Sequence, residues 1–203
     1  MASQVSHIVY AKKYFDKHPS NVNKDEFILG CVFPDIRRID GKIMRKDTHR
    51  HYDPLDLNFD GMTAFEAGWK FHLYCDMKRE EILNKYKFYS LPEAENFWHL
   101  PAKIFEDEIV YDKYNNWEKL VHYFNNVPEI KNEINVSRET FSLWYAILAK
   151  YIEKKPDSKS MRIFLSKQPS LAEKVGDIVQ SIDAQRKDKR IVEILGKVSE
   201  EVV

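Results

Sequence analysis

The stretch GWKFHLYCD, residues 68–76, sets His72 and Asp76 four positions apart. On a helix such residues share a face with Cβ atoms about 5–6 Å apart. An imidazole and a carboxylate so placed reach one metal ion, and both are good zinc donors. A helix pair supplies two ligands only, so a centre built on it draws the others from elsewhere. The chain offers His7 near its start, Asp35 directly after Pro34, and His49 and His51 in DTHRHYD. The pair alone fits a hydrogen-bonded core histidine beside a carboxylate as well as it fits a ligand set.

The elements that must position these residues read as helices. Val5, Ile8, Val9 and Lys12 fall on one helical stripe over residues 3–17, and His18-Pro19 ends it, because the residue before proline avoids the α region. Asn23 caps a short second helix that Gly30 is expected to break, with Pro34 confirming the stop. Residues 35–60 are charged and aperiodic, a long irregular stretch of the kind that often carries function. Asp60 or Thr63 caps a helix running to about Tyr86, with Phe65, Trp69, His72, Leu73 and Asp76 on one face. Further helices are predicted from near Pro92 with an interruption at Pro101, over 117–124 and over 138–153. Lys155-Pro156-Asp157-Ser158 reads as a hinge, and the charged helical remainder has breaks near Gln168-Pro169 and over 183–188. The expected class is all-α: a multi-helix bundle with a metal-site domain over 1–155 and a helical extension over 156–203 packed on it.

Composition narrows the function. Of 203 residues, 43% are hydrophobic and 13% aromatic, enough for one sizeable core. The 32 basic and 32 acidic residues cancel, which argues against nucleic acid as the partner. No run approaches the roughly 20 apolar residues of a spanning helix, and MASQVSHIVYAKK lacks an apolar signal core; a cytoplasmic location is the expectation, with Cys31 and Cys75 free and buried. Adjacent His-Asp, H-E-x-x-H, P-loop and G-x-S-x-G patterns are all absent. His18 reads as a solvated cap at the C-terminal end of the first helix, and His99 and His122 as packed or surface residues.

Taken in chain order, His7, then Gly30-Pro34-Asp35 in FILGCVFPDI, then Thr48-His49, then Gly68-His72-Asp76 resemble the motifs of the zinc-dependent phospholipase C family, including its small bacterial members. The likeness covers about the first 80 residues. It implies an all-α fold holding zinc that activates water for phosphoester hydrolysis. By matching positions it implies one centre of Asp35, His49, His72 and Asp76, with His7 and a shared Asp76 serving a neighbouring centre. Asp35 would then be the catalytic residue, acting as general base or orienting the attacking water. The Thr-His match prefers His49 to His51. The family's later H-x-x-x-E pair is missing, since Lys103 and Asn126 stand four residues after His99 and His122, and its N-terminal tryptophan ligand is missing too. The expectation is therefore one or two ions, zinc or another divalent transition metal, with Glu106 or Asp107 as further donors. The substrate implied is a phosphoester small molecule or lipid head group. The other reading is a catalytically inactive all-α interaction or scaffold protein that keeps the fold and a structural metal.

Overall fold

The computed structural model describes residues 3–92, 99–130 and 134–203, and among these it contains ten α-helices and no strand. The longest is α4, Ala64–Lys85, and its start is written in sequence. The Thr63 hydroxyl accepts from the Glu66 amide at 3.2 Å and the Glu66 carboxylate accepts from the Thr63 amide at 2.8 Å. That reciprocal box satisfies two donors the first turn leaves unpaired. From Ala67 to Leu73 every residue of α4 is buried, so this is the central helix of the bundle.

Helix α1 (Gln4–Lys17) and α2 (Lys24–Val32) pack beside it. Asn23 caps α2 through the Glu26 amide, as its type suggests. Gly30 does not break α2. The helix runs on to Val32 and tightens into a 3-10 turn, Phe33–Arg38, with Pro34 in its first turn. The reason lies across the interface. An added Cβ on Gly30 would stand 2.0 Å from the Phe65 carbonyl oxygen, and one on Gly68 would stand 1.9 Å from that of Phe27. The two helices meet backbone to backbone, and glycine is there for close approach.

Within 35–60 the chain makes the 3-10 turn and a one-turn helix, α3 (Arg45–Thr48), and is otherwise irregular. Helix α5 spans Leu100–Val110, and Pro101 sits in its first turn, so that proline opens the helix and does not interrupt it. The expected start near Pro92 falls largely on residues outside those described. Helices α6 (Trp117–Asn125) and α7 (Arg138–Ile152) follow, and α7 sends Trp144 and Tyr145 to donate to the Val32 and Leu29 carbonyls at the end of α2, at 3.0 and 2.9 Å. The Leu29 carbonyl already accepts from the Phe33 amide, so the Tyr145 bond is a second one to it, and the two side chains tie α7 to the last turn of α2.

Helices α8 (Ser158–Ser166), α9 (Val175–Gln185) and α10 (Lys189–Glu201) complete the chain. Helix α9 packs on α5, and α10 on α4 and α5. One hydrophobic cluster runs from Val5 to Val202. A buried polar knot pins α1, α4 and α5 together: Arg79 Nε donates to Glu106 at 2.7 Å, and the Tyr10 hydroxyl donates to the same carboxylate. Glu106 is thereby committed to a buried ion pair.

Candidate metal centre

His72 is the best-positioned side chain of the group. Its Nδ1 lies 2.7 Å from the carbonyl oxygen of Cys31 near the end of α2. A carbonyl only accepts, so the ring proton belongs on Nδ1 and the Nε2 lone pair is left to face Asp76, 3.6 Å away on the next turn. Orientation of a ligating imidazole by a carbonyl on its other nitrogen is the usual supporting arrangement in metal sites. The Gly30–Gly68 contact is what brings the Cys31 carbonyl within reach.

Helix α1 delivers His7. Its ring stacks on His72 with centroids 3.9 Å apart and planes inclined by 18°, and its Nε2 is 3.4 Å from Asp76 Oδ1. His49, at the end of α3, brings its Nε2 to 3.9 Å from Asp76 Oδ2, while its Nδ1 lies 3.0 Å from the Thr48 hydroxyl. Three imidazoles from three helices therefore converge on one carboxylate. His7, His72 and Asp76 each offer a ligand atom, all within 4.8 Å of one another.

The spacings fit a metal better than they fit hydrogen bonding. Donors 2.0–2.1 Å from a tetrahedral zinc lie roughly 3.4 Å from one another, whereas a nitrogen–oxygen hydrogen bond is about 2.9 Å. The Nε2 atoms of His7, His49 and His72 are buried and make no hydrogen bond. Leaving buried polar atoms unmatched costs free energy, so such atoms call for a partner. His7 and His72 are fully buried, and Asp76 is 8% exposed, so what access there is comes from the side of Asp76 and His49.

Asp35, like His49, is not among the three residues whose ligand atoms lie within 4.8 Å of one another, though its charge acts on His72. It is fully buried, and its carboxylate accepts from Gln4 at 2.7 Å, Arg38 at 3.0 Å and Lys103 at 3.0 Å, with Arg37 at 3.8 Å. Burial alone would raise its pKa, but Arg38 and Lys103 outweigh burial and hold the carboxyl well below its ordinary range. His51 is exposed, as are His18 and His122. Of the alternatives in DTHRHYD, then, His49 faces the cluster. Glu106 is tied to Arg79, and Asp107 accepts from the Ser6 amide and hydroxyl at 2.9 and 3.0 Å and from Tyr151 at 3.0 Å.

Sequence reading treats Trp69 as core alone. It also places His49. Its indole donates to the Thr48 carbonyl at 2.6 Å while the Arg50 guanidinium lies 4.2 Å from its ring centroid, so Trp69 holds the chain on both sides of the ligand. No local pattern signals a bond spanning residues 48 to 69. The spacing of Asp35 from Lys103, in another helix, is equally silent.

Electrostatics set the protonation state. Burial, reinforced by the neighbouring histidines, pushes His49 and His72 down to about 3, and burial lowers His7 as well. All three are neutral at pH 7, the form that ligates. The linkage follows in sign. An unfolded histidine takes up a proton near pH 6.5, while the folded one does not until near 3, so stability present above 6.5 is lost on acidification. Burial raises Asp107 to about 6, which acts oppositely: its contribution is present at low pH and lost as pH rises through 6. Between about pH 7.5 and 5.5, His49 and His72 each cost about 1.4 kcal/mol, His7 adds to the loss, and Asp107 returns less than about 1 kcal/mol. Chelated protein is therefore expected to show a lower urea midpoint at about pH 5.5 than at 7.5, corresponding to an unfolding free energy smaller by about 2 kcal/mol or more. A midpoint that is flat or rising on acidification would show the histidines to be solvated or already charged.

No family model, curated protein or solved structure matches this chain.

Proposed function

We propose that the chain is a metal-dependent hydrolase that cleaves a phosphoester with metal-activated water, with zinc as the ion its donors suit best. The observation that carries this reading is the convergence of three neutral, buried imidazoles on Asp76, with His72 oriented by the Cys31 carbonyl. His7, His72 and Asp76 would hold the ion, and His49 would join them from the more accessible side. A bound zinc supplies a water of pKa about 7 and stabilises charge growing on a phosphoryl oxygen. The protein's share is to keep the donors deprotonated and fixed. Asp35, ionised and gripped by three donors, is too weak a base to take a proton at neutral pH; its part is to hold Arg38 and Lys103 in place beside the centre.

One observation favours the second reading, a structural metal in an inactive interaction protein. Catalytic zinc keeps an open coordination position, whereas His7 and His72 are fully buried. Two measurements on the same purified chain separate the readings: metal content by elemental mass spectrometry, and release of nitrophenol from p-nitrophenyl phosphate and bis(p-nitrophenyl) phosphate. The hydrolase reading expects stoichiometric metal and turnover of at least one ester, both lost in His72→Ala. Metal without turnover would leave the structural reading. Neither metal nor turnover, even after zinc is added, would end both.

A further inference from the structure

Arg38 and Lys103, two of the cations that hold Asp35, also line a cavity of about 410 Å³. Arg37, Arg79 and Lys174 complete the cationic part of its wall. Five positive charges meet three carboxylates: Asp35 among Arg37, Arg38 and Lys103, Glu106 on Arg79, and Glu80 on the wall itself. Asp76 also acts on Arg37 and Lys103, so one positive charge is left over among these groups in a chain whose formal net charge is zero.

Two guanidinium atoms among these residues are also left without partners. Arg79 is 1% exposed and its Nε is fixed on Glu106 at 2.7 Å, yet its Nη2, although buried, makes no hydrogen bond; the buried Nε of Arg37 makes none either. A buried, charged N–H without an acceptor is costly, and a guanidinium pinned at one nitrogen presents the others in fixed geometry. Both properties suit an incoming oxyanion. Among the described residues the rest of the wall is Tyr89, Leu100, Leu171 and Ile178, apolar or aromatic, with the His99 imidazole beside them. The volume is within the range of small-molecule sites. A larger groove of about 620 Å³ between α7 and α8 is also rich in lysine, but none of the unpartnered buried nitrogens belongs to its wall.

We propose that this cavity binds a small molecule carrying a phosphate dianion on an apolar or aromatic body, with Arg37, Arg79 and Lys174 as its anion contacts. The site uses no histidine of the metal centre and stands whether or not that centre is catalytic. Its floor comes from the 3-10 turn, α4 and α5, and its cover from Leu171, Lys174 and Ile178. The C-terminal helices are thereby given a binding role.

The test is calorimetric titration of the chelated full chain with phenylphosphonate, which cannot be hydrolysed, and with inorganic phosphate. Phenylphosphonate is expected to bind about tenfold tighter than phosphate, because only it covers the apolar wall. Lys174→Glu and Arg37→Glu, both in partly or fully solvent-facing side chains, are each expected to weaken it at least about tenfold. His72→Ala is expected to leave it unchanged. Absence of binding at millimolar phenylphosphonate would overturn the proposal. So would binding that survives both charge reversals and is lost in His72→Ala, since the anion would then sit at the histidines. Equal affinity for phosphate and phenylphosphonate would remove the apolar body from the ligand.

Discussion

Zinc added to the metal-free protein is expected to raise its unfolding midpoint, and His72→Ala is expected to abolish the rise. The donors are already gathered, since the three Nε2 atoms stand 3.4–3.9 Å from Asp76 oxygens, and binding one ion requires the His7 ring to turn out of its stack on His72 so that both lone pairs meet. An ion that binds only the folded state stabilises it by RT ln(1 + [L]/Kd), about 4 kcal/mol at a thousandfold excess over Kd. For a domain of this size that is roughly 10 °C. The comparison is made within each variant, with and without zinc, so that any loss of packing in His72→Ala cancels. His51→Ala is expected to keep the full shift, because His51 is exposed and away from the cluster. Asp35→Asn separates two roles. It should keep most of the zinc shift, since the Asp35 oxygens are taken by Gln4, Arg38 and Lys103, yet lower the stability of the metal-free protein by about 3 kcal/mol or more by leaving buried Lys103 without its counter-charge. A zinc shift that persists in His72→Ala would move the site elsewhere, and no shift with zinc, manganese or cobalt would dismiss the metal.

What is legible in the sequence follows the range of the physics involved. The pairing of His72 with Asp76 is a consequence of helical period, which the backbone fixes locally, and the Thr63–Glu66 box marks the start of that helix for the same reason. Nothing local brings His7 and His49 to the same point; that expectation rests on the order of motifs along the chain, and the fold places both against Asp76. The likeness groups Asp35 with the ligands, but the fold gives it Gln4, Arg38 and Lys103 as partners, and the last of these is 68 positions away. Gly30 illustrates the opposite error. Read alone, a glycine near a proline is a stop signal, whereas here the residue is helical and its small size serves a neighbour that only tertiary structure supplies. Pro101 is the same lesson for proline, which reads as an interruption in mid-segment and is favourable once the helix begins at Leu100.

The second large effect is expected from a single methyl group. Gly68→Ala would put its Cβ 1.9 Å from the Phe27 carbonyl oxygen and 3.0 Å from the Cys31 amide nitrogen; Gly30→Ala would put its Cβ 2.0 Å from the Phe65 oxygen and 2.9 Å from the Trp69 amide nitrogen. Neither clash is with the loose end of a side chain, so relief requires α2 and α4 to move apart. Overpacking of this kind costs about 3 kcal/mol or more when backbone must shift. The damage is functional as well as structural. Separating the helices lengthens the 2.7 Å bond from His72 to the Cys31 carbonyl, and loss of such an orienting partner typically weakens a metal site by 10–100-fold. Gly196→Ala in α10 is the control: nothing lies within 4 Å of its added Cβ, and alanine in mid-helix should stabilise by about 0.5–1 kcal/mol. Urea midpoints and zinc affinity measured on the three variants check both halves. If Gly68→Ala unfolds at the wild-type midpoint, the helices are not in backbone contact and the positioning of His72 must have another cause. If it is destabilised but binds zinc as tightly as the wild type, the Cys31 carbonyl is not what orients the ligand.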